Sequence, residues 1–139
     1  MEHCHIIIRG QPIAKRRPRF FRRGNFVGTY NDQQTEEGRF MLQAKAKWND
    51  PPLEGPIALK CWFWFDFPKS MSKKKREDAV HTKRPDLDNL VKFVKDCLNG
   101  IVWKDDSQVV TLTAKKLYDR EGEGARTEII IAYGKVLEA

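Results

Sequence analysis

The chain is 139 residues long and carries 26 lysine and arginine residues against 19 aspartate and glutamate residues, a formal net charge of +7. This length is enough for one domain with its own core but not for two, and the positive charge makes an anionic partner plausible. No apolar run approaches the roughly 20 residues of a membrane span, and the N-terminus lacks the apolar core of a signal peptide, so a cytoplasmic protein is expected. Three cysteines without CxxC spacing are expected to stay reduced.

The N-terminal part is predicted to begin with a strand. The β-branched run from Cys4 to Arg9 is typical of a strand, and Gly10 and Pro12 would end it. His3 and His5 would share one face of that strand. Because no further ligands follow at suitable spacing, they are interpreted as strand residues rather than zinc ligands.

A basic loop over about residues 10–25 holds six cations and no acid, interleaved with Phe20 and Phe21. An arginine fork can bond two phosphate oxygens and aromatic rings offer faces to bases, which favours DNA contacts over a merely solvated loop. Gly24, Asn25 and Gly28 are expected to turn the chain back as a ribbon or loop. The predicted DNA-binding residues here are Lys15, Arg16, Arg17, Arg19, Arg22 and Arg23.

A helix and a strand are predicted next. Thr35 to Trp48 shows helical spacing, with Thr35 or Asp32 as the N-cap, and is assigned to the core or to a subunit contact. Ile57 to Phe67 alternates with period two, which indicates a strand. Trp62 and Trp64 make its second face apolar as well, so that face should be covered by the helix or by another subunit. Burial is favoured over base stacking for both indoles.

A second basic loop over about residues 68–84 is long for a compact domain, which indicates a function. It leads directly into Asp86, so it would bring positive charge beside carboxylates that would otherwise repel DNA. The alternative is a solvated, mobile loop. The predicted DNA-binding residues here are Lys73, Lys74, Lys75, Arg76, Lys83 and Arg84.

The stretch from Arg84 to Gly100 is the most informative part of the chain. From Leu90 onward its apolar residues recur at i, i+3, i+4, i+7 and i+8, which predicts a helix with one apolar stripe. Pro85 and the acids in front, with Gly100 behind, agree with helix start and stop signals.

Acidic residues gather at the start of this predicted helix. Asp88 and Lys92 lie one turn apart and opposite the stripe, and Asp86 precedes them in the lead-in turn. Asp105 and Asp106 follow a short connection that could fold back beside the helix start. Such carboxylates with a lysine resemble a divalent-metal site, whereas the alternative is ordinary helix caps and an i,i+4 ion pair.

The C-terminal third is predicted to form a long hairpin. Val109 to Leu117 and Thr127 to Tyr133 have strand patterns, joined by a turn over residues 119–124. The whole order of elements indicates an α+β fold over residues 1–139, a single domain in which two helices pack against a mixed or antiparallel sheet.

Two motifs resemble one known family. Arg-Pro-Asp-Leu-Asp-Asn-Leu-x-Lys, then a short amphipathic helix and Trp-x-Asp-Asp-x-Gln-Val, is similar to the signature of RusA-family Holliday junction resolvases, the crossover junction endodeoxyribonucleases, and covers residues 84–109. Gly-x-Pro-x-x-Lys-x-Arg-Pro-Arg-Phe over residues 10–20 is similar to the phage or prophage-type branch of that family.

The resemblance implies a homodimer with the RusA fold that acts in DNA recombination and repair by resolving four-way junctions with paired symmetric nicks. It implies Mg²⁺ as cofactor, with Mn²⁺ as a possible substitute and no organic cofactor. Asp106 rather than Asp105 matches the second acid of the family motif. The implied catalytic residues are Asp86, Asp88, Lys92 and Asp106, of which the three aspartates would hold the metal.

Two alternatives remain open on the sequence. One is a non-catalytic DNA-binding module whose carboxylates are only caps, which would show no metal dependence. The other is a metal-dependent nuclease that acts on other branched or single-stranded DNA.

Overall fold

A four-stranded mixed sheet forms the centre of the computed structural model, which describes residues 1–134. The strands are β1 (Glu2–Arg9), β2 (Arg19–Arg23), β3 (Phe26–Tyr30), β4 (Ile57–Phe65), β5 (Val109–Tyr118) and β6 (Arg126–Tyr133), and the helices are α1 (Gln34–Lys47), α2 (Lys73–Glu77) and α3 (Leu87–Leu98). The predicted α+β class is confirmed, with three helices in these residues instead of two. The predicted domain end at residue 139 lies outside the described residues.

The strand order of the central sheet is β1–β6–β4–β5, with β6 antiparallel to both of its neighbours and β4 parallel to β5. The predicted hairpin between β5 and β6 is therefore wrong, because β4 lies between them. β6 is mostly buried and carries three consecutive isoleucines, Ile129 to Ile131, which suits an interior strand. Residues 110–113 of β5 are exposed, as suits an edge strand.

The parallel pairing of β4 and β5 requires a crossover connection, which the chain makes through α2 and α3. The predicted apolar stripe of α3 is confirmed, since Leu90, Phe93, Val94, Cys97 and Leu98 are all buried. Gly100 follows the helix with a φ of 85°, a conformation that glycine adopts without strain. The stripe packs the helix onto the sheet and leaves its other side facing outward.

Helix α1 packs on the same side of the sheet as α3, with Phe40 edge-on to Phe93 at a centroid distance of 5.5 Å. The prediction that this helix covers Trp62 and Trp64 is thus wrong. Lys115 lies over the Trp62 ring at 5.3 Å and Arg126 over the Trp64 ring at 4.6 Å. The half-buried indoles are shielded by cations of neighbouring strands, and coverage by another subunit remains a prediction.

The N-cap of α1 is Gln33, not Thr35 or Asp32 as predicted. Gln33 is fully buried, and its carboxamide donates to the Ala14 carbonyl at 2.8 Å and accepts from the Arg16 N–H at 2.8 Å. The side chain therefore joins the first basic segment to α1 instead of capping the helix.

Within residues 1–134, no helix is both long and apolar enough to cross a membrane. The predicted cytoplasmic location is a separate matter and stays a prediction.

A buried ion cluster fastens the return from β5 to β6. The Arg126 side chain is 4% exposed and forms ion pairs with Asp119 at 3.3 Å, Glu123 at 3.0 Å and Glu128 at 3.2 Å. The Asp119 carboxylate also accepts from the Gly124 N–H at 2.7 Å. Burial alone would raise the pKa of Asp119, but the Gly124 N–H and the Arg126 guanidinium hold it below its usual range.

We expect Arg126→Met to lower the free energy of unfolding by about 3–5 kcal/mol, because it leaves the Asp119 charge buried without its partner. The depressed pKa of Asp119 means that its contribution is fully present above the unfolded-state pKa of about 3.9 and is lost as the pH falls below that value. Urea denaturation at several pH values measures both effects. Glu123→Gln removes an exposed partner and should cost less than about 1 kcal/mol; equal losses in the two variants would contradict this account.

Candidate active site

The first turn of α3 presents two carboxylates that have no partner among the described residues. Asp86 occupies the N-cap position with extended backbone angles, φ −72° and ψ 142°, but its side chain makes no capping hydrogen bond. Asp88 is exposed in the first turn, and no ion pair joins it to Lys92 within residues 1–134. The structure therefore shows neither the cap nor the i,i+4 pair that the simpler interpretation required.

A cleft of about 680 Å³ lies between the outward side of α3 and the edge strand β5. Three of the four predicted catalytic residues line it: Asp88, Lys92 and Asp106. Lys95 and Asp96 also line the cleft, on the same helix side, and sequence patterns offered no reason to select them. Asp86 lies instead in a small neighbouring pocket of about 200 Å³, together with Arg84 and Asn89.

The short turn before β5 explains why Asp106 rather than Asp105 faces the cleft. The indole N–H of fully buried Trp103 donates to Asp106 Oδ1 at 2.8 Å and so holds that carboxylate. Asp105 is used within the turn, where its carboxylate accepts from the Ser107 hydroxyl at 2.7 Å and its N–H donates to the Gln108 side chain at 2.8 Å.

Gln108 fastens this turn to the rest of the protein. Its amide nitrogen donates to the carbonyl oxygens of Leu53 at 2.8 Å and Gly55 at 3.0 Å. Each of the four polar or aromatic residues of the second motif thus has its own structural role; they are Trp103, Asp105, Asp106 and Gln108.

Lys116 is a contributor that the sequence did not reveal. Its ammonium group donates to the carbonyl oxygens of Lys83 at 2.7 Å and Pro85 at 3.0 Å. These bonds hold the chain that leads into Asp86 against β5. One lysine in an alternating strand carries no signal of such a role, because the contact depends on a loop distant in sequence.

The first basic segment divides into paired and unpaired cations. Lys15 pairs with Glu37 at 2.9 Å and with Asp96 at 3.4 Å. Burial opposes its charge, but the hydrogen bond to Glu37 and the negative charges of Glu37 and Asp96 raise the pKa of Lys15. Arg16 pairs with Glu36 at 3.1 Å, so these two cations are engaged within the protein.

Arg19 is engaged in the same way, since it pairs with Asp32 at 2.7 Å. The hydrogen bond from Arg19 lowers the pKa of Asp32. Arg17, Arg22 and Arg23 are exposed and form no ion pair within residues 1–134, although Arg23 lies 5.8 Å from the Phe21 ring centroid. These three are the free cations of the first basic loop among the described residues.

The second basic segment was predicted as a loop, but residues Lys73–Glu77 within it form α2. Ser72 caps α2 by accepting from the Lys75 N–H at 3.3 Å, and straight-chain lysines favour a helix. Lys73, Lys74 and Lys75 are exposed, and so are Lys83 and Arg84 farther along.

Arg76 points inward and serves the loop itself. It donates to the carbonyl oxygens of Met71 at 3.0 Å and Pro68 at 3.3 Å and lies 5.0 Å from the Phe67 ring centroid. The four consecutive cations therefore do not form one uniform surface.

Comparison with known proteins agrees with these motifs. The family model described as Endodeoxyribonuclease RusA matches residues 9–132. The chain belongs to the RusA family. It is 34% identical over 140 residues to the Bacillus subtilis (strain 168) protein YqaN, described as uncharacterized, with 94% of this chain and 96% of YqaN covered.

A phage relative matches over a shorter region. The crossover junction endodeoxyribonuclease rusA of Lactococcus phage r1t is 39% identical over 85 residues, covering 59% of this chain and 63% of the phage protein. The resemblance to RusA proteins noted in the motifs is thereby confirmed.

The divalent metal implied by the RusA resemblance can be tested against the side chains. Within residues 1–134, no three His, Cys, Asp or Glu side chains are already arranged to hold a metal ion. Mg²⁺ commonly binds through one or two carboxylates, several waters and substrate phosphates, so it does not require a complete protein cage. The hard oxygens of Asp88 and Asp106, facing one cleft, fit that requirement, with Asp86 in the neighbouring pocket.

We expect Asp106→Asn to reduce DNA cleavage by this RusA-family chain by about 100-fold or more, because it removes a carboxylate that would hold the metal, whose stabilisation of the transition state is worth several kcal/mol. Asp105→Asn is the matched control and should retain near wild-type cleavage, because asparagine can still accept from Ser107 and begin the turn. Single-turnover cleavage rates, with circular dichroism to check folding, measure the difference. Loss of activity in Asp105→Asn alone would reverse the assignment.

Proposed function

We propose that this chain is a metal-dependent endonuclease that resolves four-way DNA junctions by paired symmetric nicks, acting as a homodimer. The observation that carries the proposal is the meeting of Asp88, Lys92 and Asp106 in one cleft of a RusA-family chain. The name of the phage relative, a crossover junction endodeoxyribonuclease, supports the choice of substrate.

The cleft residues would divide the work of phosphodiester hydrolysis. Asp88 and Asp106, with Asp86 beside them, would hold Mg²⁺, for which Mn²⁺ could substitute; when bound, the metal would supply Lewis-acid stabilisation and a more acidic water. Lys92 places a positive charge where the phosphate must enter, which offsets charge that develops on its oxygens. Trp103 holds Asp106 in its orientation, and Lys116 positions the chain before Asp86.

Binding of DNA requires that the negative charge of this cleft be balanced. Exposed cations on both sides of the first motif can supply the balancing charge. They are Arg17, Arg22 and Arg23 in the first basic loop, and Lys73, Lys74, Lys75, Lys83 and Arg84 in the second. Lys15, Arg16 and Arg19 support the surface from within, since they are already paired with acids.

The dimer is proposed from the geometry of the substrate. A four-way junction yields two intact duplexes only when two opposing strands are cut. A chain whose residues 1–134 form one such carboxylate cleft can supply both cuts together when a second copy is related to it by a two-fold axis.

A cleavage assay on matched linear, forked and four-way DNAs tests the proposal. With Mg²⁺, wild-type protein should cut the four-way DNA at paired positions, and Asp88→Asn should bind it without cutting. The substitution removes one charge and almost no volume, so binding should stay intact or become tighter. Cleavage by Asp88→Asn at the wild-type rate, or cleavage without a divalent metal, would contradict the catalytic part.

The same variant tests the dimer. Wild-type protein mixed with an excess of Asp88→Asn subunits should form mixed dimers that nick one strand of each junction. Paired cuts in proportion to the active chains would instead indicate that one subunit makes both cuts.

Replacing Lys73, Lys74 and Lys75 with alanine should weaken DNA binding and flatten its dependence on salt. Each lost phosphate contact removes about 0.9 from the slope of log K against log salt, so three contacts would remove up to about 2.7. Arg76 is left in place because it holds the loop. Alanine at Arg39, Lys45 and Lys47, three exposed cations of α1, is the control for net charge. An unchanged slope in the triple variant would mean that α2 does not contact the backbone.

A further inference from the structure

The hairpin formed by β2 and β3 is separate from the central sheet. Among residues 1–134 its two strands pair only with each other, with Phe20 opposite Thr29 and Arg22 opposite Val27. An isolated two-stranded hairpin is marginally stable in water, so this one depends on internal packing and on how its base is attached.

One face of the hairpin supplies the internal packing. The Phe21 ring lies 5.9 Å from Phe26 and 6.2 Å from Tyr30, measured between centroids. A side chain at Gly28, opposite Phe21, would place its Cβ 2.6 Å from the ring, so glycine leaves the space that Phe21 occupies. Phe21 is therefore a structural residue.

The other face has no such packing in the part of the chain that the structure describes. Phe20 is 77% exposed and Val27 is 55% exposed, and Arg22 and Thr29 beside them are exposed as well. A largely exposed aromatic ring buries little apolar surface and so contributes little to the fold. Arg22, on this face, and the nearby Arg17 and Arg23 are exposed cations without an ion pair among the described residues, which favours a polyanionic partner over a protein surface of mixed charge.

The base of the hairpin is attached beside the candidate active site. The Lys15 N–H donates at 2.9 Å to the carbonyl oxygen of Asn89, which lines the same small pocket as Asp86. Asp32, which follows β3, pairs with Arg19 at 2.7 Å and with Arg16 at 3.5 Å, so the segments that enter and leave the hairpin are tied together. The base of the hairpin therefore lies beside the pocket that contains Asp86.

We propose that Phe20 stacks against an unpaired or unstacked base at the branch point of the DNA, while Arg22 holds a neighbouring phosphate. This inference rests on the proposed function, because the branch point of a junction offers such a base beside continuous duplex arms. Aromatic side chains stack on any base, and inserted phenylalanine rings can separate base steps. Phe20 would thus recognise the structure of the DNA at the branch point and not the base sequence there.

The test compares binding of a four-way junction and of a linear duplex with the same arm sequences, without divalent metal so that no cleavage occurs. Phe20→Ala should weaken junction binding by about five- to 150-fold, the range for loss of one base–aromatic stack, and leave duplex binding nearly unchanged. Phe20→Trp should retain the preference for the junction. Arg22→Ala should weaken binding of both DNAs and lower both salt slopes.

Two further measurements sharpen the comparison. A fluorescent 2-aminopurine at the branch point should brighten when wild-type protein unstacks it and stay dim with Phe20→Ala. Leu42→Ala is the matched control, an exposed apolar side chain on α1 that is 71% exposed, and it should bind both DNAs like wild type.

The outcomes separate this proposal from the function on which it rests. If wild-type protein does not prefer the junction to the duplex, both fail. If it does and Phe20→Ala keeps the same preference, or loses affinity equally for both DNAs, only the role of Phe20 is wrong. A change in sedimentation caused by Phe20→Ala would instead make the hairpin a contact between subunits and would also overturn it.

Discussion

Parallel pairing of β4 with β5 is the constraint on which the arrangement of the site depends. Parallel neighbours cannot be joined by a tight turn, so the chain must leave the end of β4, cross the sheet face and return to the start of β5. The crossover carries both motifs, one at the start of α3 and the other just before β5. Packing of the α3 stripe on the sheet then places Asp88 and Lys92 along one wall of a cleft whose other wall is β5.

The many cations of the chain serve two different purposes. Arg126, Arg76 and Lys116 satisfy buried or loop acceptors and hold the connections around the sheet. Others, such as Arg22 and Lys74, remain exposed and without ion pairs among the described residues. A net charge alone therefore overstates the surface available to a polyanion, and replacement of a cation can reduce DNA binding through either folding or contact.

Local sequence patterns were enough to predict most helices and strands, because the periodicity of each depends on residues that are close together in the sequence. The α3 stripe and the alternation of β4 are examples, whereas Asp106 was chosen through the family resemblance and lies in the cleft. The order of the strands was not predictable in this way. Whether β6 pairs with β5 or enters between β1 and β4 depends on which position buries Ile129 and Ile131 more completely, a comparison between distant parts of the chain.

The roles of Lys116 and Gln33 were missed for the same reason. Each side chain bonds to backbone groups of another segment of the chain: Lys116 to two carbonyl oxygens, and Gln33 to one carbonyl oxygen and one N–H. Every residue carries such backbone groups, so the sequence does not show which ones are used. Phe20 and Phe21 show a second limit of prediction from residue types alone. They are adjacent and chemically identical, yet strand alternation places one in the packed face of the hairpin and the other in water.

Electrostatics explains how such a cleft can form before any metal or DNA is bound. Unpaired carboxylates close together would ordinarily repel each other, but Asp86 and Asp88 stand at the N-terminus of α3, where the helix dipole stabilises each negative charge by about 0.3–1 kcal/mol. Lys92 and Lys95 line the same cleft and reduce its net negative charge further. The negative charges of these carboxylates are therefore stabilised without ion pairs within residues 1–134, and their oxygens remain free to bind a hard cation. The N-terminus of α3, its two aspartates and the lysines one and two turns later act together on the charge of the cleft. The spacing within the first motif therefore matters as much as its residue types.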